Sequence, residues 1–291
     1  MQPFGYARPT TLAETVTLLD RHGSDARPLA GGTDLIIRLR DGTLRPAVVI
    51  DLKRVAELRP GIEELEGGGL RIAATTVMTD IAADPRIQRG FEALGEAAAV
   101  VGSVQIRNRA TLGGNLCNAS PAADTAPPLL VYAAVVAIAG PAGARRLPLD
   151  ELFVRSGVTT LGRGELVTAI ELPPPARRRG AVHLRRSRRR GHDLASVTLS
   201  CLVDEAGTTR IAYGSVGPRP VLAVDESGVL ADLEAPDSLR LPILEGMLAD
   251  ASPSPRSMRA GPEYRLAMLR VLGLRGVRIA HERLVGEAVP R

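Results

Sequence analysis

The spacing of apolar residues predicts a mixture of helices and strands along the whole chain. Leu12, Val16 and Leu19 recur at helical spacing, and Thr11 with Glu14 has the spacing of a capping box that begins a helix. Short apolar runs bounded by Gly and Pro predict strands. The predicted helices are 11–22, 76–83, 91–101, 238–249 and 264–280, and the predicted strands are 27–30, 46–52, 70–74, 131–139, 166–172, 195–203 and 210–216.

The clearest break in this pattern lies near residue 175. Three consecutive prolines at 173–175 are stiff, and the arginine run at 177–179 is expected to be solvated. Beyond the break, strands are followed by helices, which is the order typical of an α+β module. We therefore expect one domain at 1–175 and a C-terminal domain at 176–291.

Length and composition indicate a folded protein. The chain has 291 residues, of which 45% are hydrophobic and 24% charged, so it can bury a substantial core and is not expected to be disordered. The net charge is +5, and Lys53 is the only lysine. A basic chain raises the hypothesis of nucleic-acid binding. However, the arginines are scattered and aromatic residues make up only 2% of the chain, whereas single-strand binders use aromatic platforms, so we expect no nucleic-acid partner.

The two cysteines, Cys117 and Cys201, are too few for a disulfide framework or for a four-cysteine iron–sulfur or zinc site. The four histidines show no metal-ligand spacing, so no metal site is expected. The N-terminus lacks the pattern of a signal peptide, and no apolar run reaches the length of about eighteen residues that a membrane span needs. We expect a cytoplasmic protein with reduced thiols.

The first candidate for chemistry is the turn AGGTD at 30–34, between a predicted strand and a predicted helix start. Adjacent glycines allow consecutive backbone N–H groups to point the same way and to form an anion-binding nest. The Thr33 hydroxyl can donate to a phosphate oxygen. The motif is neither a P-loop nor the GxGxxG fingerprint. An equally supported interpretation is a tight turn in which Thr33 or Asp34 caps the helix.

The second candidate is TLGGN at 111–115, where a hydroxyl again precedes a Gly-Gly pair. It lies in the stretch 105–128, which is rich in small residues and predicts a long loop packed against a ligand. Two such turns suit a ligand with two phosphates, such as the pyrophosphate of FAD. Asn115 can bind the ligand or its own backbone. Asp124 can accept a ribose or ribityl hydroxyl, but the pattern favours a helix cap.

The third candidate is the basic stretch RRSRRRGHD at 185–193. It predicts a solvated loop, a partner-facing patch or an arginine near cofactor phosphates. His192 with Asp193 has the look of half a catalytic dyad, but no Ser or Cys nucleophile lies in a recognisable setting. For Cys117, a small buried filler is favoured over a reactive thiol.

The paired motifs resemble those of a known family. AGGTDL at 30–35 and QIRNRATLGGNLCNASPAADTAPPLL at 105–130 resemble the FAD-binding medium subunit of the xanthine dehydrogenase and carbon monoxide dehydrogenase family of molybdenum hydroxylases. GELVTAIELPPP at 164–175, LRRSRRRGHDLASV at 184–197 and GPEYRLAMLRVL at 261–272 follow in the order that this family shows. The resemblance therefore extends over nearly the whole chain.

This resemblance implies a fold and a site. The fold is α+β: a two-lobed FAD-binding region of the vanillyl-alcohol oxidase type, with lobes at about 1–55 and 56–175, followed by a small C-terminal domain of sheet plus helices. No residue of the chain is expected to be catalytic. The implied FAD-binding residues are Leu29, Ala30, Gly31, Gly32, Thr33, Asp34, Leu35, Val101, Thr111, Leu112, Gly113, Gly114, Asn115, Asp124, Val167 and Arg185. Arg185 stands where relatives often carry lysine.

The resemblance also implies partners. In this family, hydroxylation occurs at a molybdopterin centre on a large subunit, and electrons cross two 2Fe–2S clusters on a small subunit to reach FAD. Each 2Fe–2S cluster takes four cysteine ligands, so a chain with two cysteines leaves both clusters to its partners. A dimer of heterotrimers is expected, with NAD, quinone or oxygen as the external acceptor.

Two further functions stay open at the level of sequence. One is a stand-alone FAD-dependent oxidoreductase of the same fold, which needs a proton donor opposite the flavin. The other is a scaffold that keeps the fold and has lost FAD, against which the two intact glycine turns argue.

Overall fold

The structure, a computed structural model, describes residues 2–189, 191 and 193–286. The first lobe is a small parallel sheet with two helices. Its elements are β1 (Gly5–Ala7), α1 (Leu12–His22), β2 (Ala26–Leu29), α2 (Leu35–Arg40) and β3 (Val48–Asp51). The strand order is β1-β3-β2, with both pairings parallel. The first glycine turn leaves the carboxyl end of β2 and leads directly into α2.

Helix α1 begins and ends where the sequence predicts. The Thr11 side chain accepts a hydrogen bond from the N–H of Glu14 at 3.2 Å, and Gly23 ends the helix with φ of 51°. The Glu14 carboxylate accepts from the N–H of Thr10 at 3.0 Å, one residue earlier than a capping box requires.

The second lobe is a five-stranded antiparallel sheet covered by short helices. The strand order is β4-β5-β10-β6-β7. Its elements are β4 (Ile62–Glu64), β5 (Leu70–Ala73), α3 (Met78–Ala83), α4 (Pro85–Gly90), α5 (Glu92–Ala99), α6 (Val104–Arg107), α7 (Leu112–Cys117), α8 (Ala126–Val131), β6 (Val135–Gly140), β7 (Gly143–Pro148), β8 (Phe153–Arg155), β9 (Val158–Thr159) and β10 (Leu166–Leu172). β8 and β9 form a separate hairpin. The largest apolar core lies between this sheet and the helices.

The C-terminal region is a four-stranded antiparallel sheet backed by two helices. Its elements are β11 (Arg179–Arg186), β12 (Val197–Asp204), β13 (Thr209–Gly214), β14 (Val221–Asp225), α9 (Asp237–Met247) and α10 (Pro262–Val285). The strands follow one another in chain order. A second apolar core lies between this sheet and the two helices. The α+β class is therefore confirmed. A third, smaller apolar core lies in the first lobe, and the second lobe packs on the C-terminal sheet through α5 and α8.

Three sequence predictions were wrong in detail. The stretch 105–128 is not one long loop, because α6, α7 and the start of α8 lie within it. The strand predicted at 131–139 begins only at Val135, since Val131 still belongs to α8. The arginine run at 177–179 is not wholly solvated: Arg179 begins β11, and its guanidinium lies 5.0 Å from the ring centroid of Phe91 and 4.7 Å from that of Tyr132.

None of the helices in the described ranges combines the length and the apolar character that a bilayer crossing requires.

Candidate functional site

The first glycine turn presents a row of backbone donors. Gly32 has φ of 79°, a left-handed conformation that favours glycine. Among the described residues, the N–H groups of Gly31, Gly32, Thr33 and Asp34 have no hydrogen-bond acceptor. Asp34 precedes α2 without a side-chain cap bond, so the capping interpretation is not supported. Consecutive unbonded N–H groups of this kind form a site for an anion.

The second glycine turn is built differently. Thr111 caps α7, and its side chain accepts from the N–H of Gly114 at 3.2 Å. The N–H of Gly113 donates to the Ala74 carbonyl at 2.9 Å, and that of Asn115 donates to the Thr111 carbonyl at 2.9 Å. These donors are already used inside the protein. The second turn therefore contributes a wall and side chains to the site, whereas the free N–H groups belong to the first turn.

Each turn contains a glycine that packs directly against the backbone of another segment. A Cβ on Gly31 would lie 1.8 Å from the carbonyl oxygen of Arg109, and a Cβ on Gly113 would lie 2.6 Å from the Cβ of Ala74. Real Cβ atoms do not approach other atoms at these distances, so both positions require glycine. Gly31 thus lies against the backbone that leads into the second turn, Gly113 lies against the residue that follows β5, and both turns line one space.

That space is a cavity of about 710 Å³, within the range of about 300–1,000 Å³ that is typical of ligand sites. The site residues expected from the sequence that line it are Ala30, Gly31, Gly32, Thr33, Asp34, Leu35, Thr111, Gly113, Gly114, Asn115 and Val167. Residues of both lobes therefore meet at one cavity, as a ligand spanning the lobes would need.

The cavity wall carries more positive than negative charge. Arg27, Arg38 and Arg163 line it, and sequence reasoning missed all three because no motif marks them. Of its acidic residues, Glu165 is bound at 2.6 and 2.7 Å by the guanidinium of Arg145. This pairing holds the pKa of Glu165 below its usual value. The excess of cations suits an anionic ligand.

Five expected site residues do not line this cavity. Leu29 packs against the first turn: a Cβ on Gly32 would lie 3.0 Å from the Leu29 side chain. Leu112 is fully buried, and Val101 packs on the largest core. The other two are Asp124 and Arg185.

Asp124 and Arg185 lie together where the C-terminal sheet meets the second lobe. The carboxylate of Asp124 lies 3.3 Å from Nη1 of Arg185, and that nitrogen also donates to the Val100 carbonyl at 2.7 Å. The prediction that Asp124 caps a helix was wrong, since Thr125 occupies the cap position of α8 and makes no side-chain cap bond. Asp124 instead faces Arg185, a largely buried side chain on β11 that is distant in the sequence.

A hydrogen bond links this interface to the cavity. The Thr125 hydroxyl donates to Oδ1 of Asn115 at 2.7 Å. The Asn115 side-chain amide nitrogen has no acceptor among the described residues and belongs to a residue of the cavity wall. Asn115 is therefore held so that its donor stays available to a ligand.

Cys117 also lines the cavity. Burial raises the pKa of its thiol to about 12, so the reactive thiolate is scarce at neutral pH. The alternative of a reactive thiol is therefore disfavoured, but Cys117 is half-buried at the cavity and is not the fully buried filler that the sequence favoured. His192 lies outside the described residues, and Asp193 accepts from the N–H of Arg188 at 3.1 Å. Within the described ranges, no three His, Cys, Asp or Glu residues are grouped to hold a metal.

Two family models match the chain. The model of the FAD binding domain in molybdopterin dehydrogenase matches residues 2–175, and that of the CO dehydrogenase flavoprotein C-terminal domain matches residues 182–280. Similar proteins include the xanthine dehydrogenase FAD-binding subunit of Escherichia coli O157:H7, 34% identical over 92% of each chain. The carbon monoxide dehydrogenase medium chain of Hydrogenophaga pseudoflava is 34% identical over 74% of this chain and 75% of its own length.

Solved structures show the same fold. A carbon monoxide dehydrogenase structure from Hydrogenophaga pseudoflava superposes with a TM-score of 0.85 at 29% identity, covering 97% of this chain and 99% of the other. Quinoline 2-oxidoreductase from Pseudomonas putida 86 gives a TM-score of 0.84 at 26% identity, covering 97% and 98%. The two-lobed architecture with the C-terminal sheet is thus shared along essentially the full length of these chains.

Proposed function

The chain belongs to the family of FAD-binding subunits of molybdopterin dehydrogenases, and on that premise we propose that it relays electrons through FAD from iron–sulfur clusters on a partner chain to an external acceptor. The observation that carries the assignment is the cavity itself. It is lined by the first glycine turn, where four N–H groups have no acceptor in the part of the chain that the structure describes, and by three arginines. An anionic dinucleotide fits both features.

In this proposal, the chain's residues bind and orient the cofactor. The N–H groups of 31–34 hold the pyrophosphate, and Arg27, Arg38 and Arg163 offset its charge. Asn115 donates its side-chain N–H to the ligand, and the second glycine turn closes the wall. Asp124 and Arg185 fix the C-terminal sheet against the cofactor region. Bound FAD supplies the electron chemistry, while the protein sets its position and surroundings.

The partners follow from the family and from the cysteine count. We propose a small 2Fe–2S subunit and a large molybdopterin subunit, assembled as a dimer of heterotrimers, because a chain with two cysteines supplies too few ligands for these clusters. Relatives named for xanthine, carbon monoxide, glyceraldehyde and nicotinate are all 30–34% identical to this chain. That range supports a partner, and not this chain, as the determinant of the substrate.

We further propose that the assembly works in the cytoplasm, which two free cysteines support. Residues 1–175 act in this proposal as the FAD-binding domain and 176–291 as the C-terminal domain. NAD, quinone and oxygen each accept electrons from flavins and are distinguished by assaying the reduced complex with each in turn.

The first test is the visible absorption spectrum of the purified chain before and after incubation with FAD and desalting. Retention of about one flavin per chain is expected. Gly31→Ala is expected to abolish it, because the new methyl group collides with the Arg109 carbonyl. Gly61→Ala is the matched control, since a Cβ there meets nothing within 4 Å. A Gly31→Ala chain that retains flavin as well as the Gly61→Ala chain would contradict the site assignment.

A further inference from the structure

One face of the C-terminal sheet changes from apolar to polar where it meets the second lobe. Ala181 and Leu202, opposite each other on β11 and β12, belong to the core of the second lobe. Residues two apart on a strand share a face, as do directly opposed residues of antiparallel strands. The same face therefore continues with four polar side chains: His183, Arg185, Thr198 and Ser200.

This polar patch is buried and incompletely bonded. His183 is 7% exposed and Asp124, which lies over it, is 8% exposed. Within the described residues, four side-chain atoms of this cluster are buried without a hydrogen-bond partner: Asp124 Oδ1, His183 Nε2, Arg185 Nε and Thr198 Oγ1. Buried polar atoms are rarely left unpaired, because each costs about 1–3 kcal/mol. Four such atoms in one cluster are therefore an unusual feature of this interior.

The two titratable members face each other. Nε2 of His183 lies 3.7 Å from Oδ1 of Asp124, which is beyond hydrogen-bond distance. The other ring nitrogen, Nδ1, is 2.9 Å from the Ser200 hydroxyl. When Nδ1 donates to Ser200, a proton added at Nε2 makes the ring cationic and gives Oδ1 of Asp124 a donor, so that a closer approach of the two atoms forms a charged hydrogen bond.

Charged groups near His183 come from its own strand, from the segment before α8, and from α5 and α10. Arg185 on the same strand lies 3.3 Å from the Asp124 carboxylate. From α5, Oε2 of Glu96 accepts from the backbone N–H of His183 at 2.8 Å. From α10, Arg283 binds the other oxygen of Glu96 at 2.6 Å. These four charges cancel as two pairs. Glu92, one turn before Glu96 on α5, accepts from the N–H of Ala181 at 3.0 Å, and burial raises the pKa of its carboxyl.

The cluster is connected to the cofactor cavity. Asp124 is followed by Thr125, whose hydroxyl bonds to Asn115 on the cavity wall at 2.7 Å. Histidine is the side chain that changes charge most readily near neutral pH. Negative charge added nearby in a region of low dielectric favours the protonated imidazole.

From this arrangement we propose that His183 and Asp124 act as one proton-exchanging pair that takes up a proton when the flavin bound in the cavity is reduced. The inference rests on the proposed function. A bound flavin that accepted two electrons and one proton would carry one additional negative charge. A second proton, taken from water, forms an N–H bond at Nε2 of His183 and restores neutrality. Reoxidation breaks that bond and returns the proton to water.

The test is the midpoint potential of the flavin in the FAD-loaded full-length chain, measured by spectroelectrochemistry between about pH 5.5 and 8.5. The slope of potential against pH reports the protons taken up per two electrons. Over part of this pH range, the wild-type chain is expected to take up one proton more per two electrons than His183→Gln. His281→Gln, the same change in α10, is the control and is expected to match the wild type.

A second variant keeps the proposal testable if His183→Gln fails to fold. Ser200→Ala keeps the imidazole and removes its hydroxyl partner at Nδ1, so the window is expected to move along the pH axis. Equal slopes for wild type and His183→Gln, with equal FAD content, overturn the proton-exchange proposal and leave the FAD site intact. A wild-type chain that binds no FAD overturns the proposed function and this inference together.

Discussion

The carboxylate of Glu92 accepts a hydrogen bond at 3.0 Å from the backbone N–H of Ala181, which lies on the outer edge of β11. One helical turn later, Glu96 accepts from the N–H of His183 at 2.8 Å. Glutamates at i and i+4 on α5 thus bind alternate N–H groups of the edge strand. An unpaired strand edge is a template for unwanted pairing, and here a helix of the second lobe covers it.

Replacement of Glu92 by glutamine is expected to stabilise the protein at neutral pH. Burial raises the pKa of Glu92. A carboxyl whose folded pKa exceeds its unfolded value stabilises the fold below the unfolded pKa, and this contribution is lost as pH rises through the folded pKa. Glutamine keeps the acceptor for Ala181 without the buried charge.

We therefore expect the free energy of unfolding of Glu92→Gln to exceed that of the wild type at pH 7.5 and to approach it at pH 4. Denaturant titration at both pH values checks this. Glu92→Ala, which also removes the acceptor, is expected to be less stable than the wild type at both. The free energy of unfolding of Glu92→Gln can be expressed as its difference from the wild type at each pH. If this difference is more negative at pH 7.5 than at pH 4, the charge itself is needed.

Loss of Glu96 is expected to weaken the fold by about 2 kcal/mol, because the N–H of His183 and the guanidinium of Arg283 both lose a charged acceptor. Glu96→Ala is to be compared with Glu226→Ala, which removes an exposed glutamate. The measurement is the midpoint of thermal unfolding together with the denaturant titration. Equal destabilisation by both alanine variants would contradict a role for Glu96 at the strand edge.

The sequence predicted those structural features that depend on residues close together in the chain. The bounds of α1 followed from Thr11 and Gly23, whose effects act within one turn of the helix. Both glycine turns were also found from the sequence, and both line the cavity.

Long-range partners explain what the sequence did not reveal. Asp124 was interpreted as a helix cap because its partner, Arg185, lies on a strand of another sheet. The arginine run hid the start of β11, since Arg179 is half-buried by cation–π contacts with Phe91 and Tyr132, which flank separate helices. The internal use of the Gly113 N–H depends on Ala74, which no local pattern connects to it.

The arginines of the cavity wall are expected to contribute by charge. Arg38 is an exposed residue at the cavity, so Arg38→Ala is expected to weaken FAD binding by about three-fold at low salt. The difference is expected to shrink at high salt, because screening shortens the reach of an exposed charge. Fluorescence titration with FAD at two salt concentrations measures it. Arg89→Ala, an exposed arginine of α4 outside the cavity, serves as the control.

Thr125 is expected to act on FAD through Asn115. Its buried hydroxyl donates to Oδ1 of Asn115 at 2.7 Å, and Asn115 lines the cavity with amide N–H groups that have no acceptor among the described residues. Thr125→Val keeps the shape and removes this bond, so FAD affinity is expected to fall by about tenfold, equivalent to about 1.4 kcal/mol. Thr125→Ser, which keeps the hydroxyl, is expected to restore most of the affinity.

The matched control is Thr209→Val, because the Thr209 hydroxyl is also buried and has no partner among the described residues. Its removal is expected to leave FAD affinity unchanged. Calorimetric titration with FAD, alongside the thermal midpoint of each variant, separates binding from stability. If Thr125→Val and Thr125→Ser bind FAD equally well, the orientation of Asn115 does not depend on this hydrogen bond. If Thr209→Val loses affinity to the same degree, the effect comes from general loosening of the core and not from Asn115.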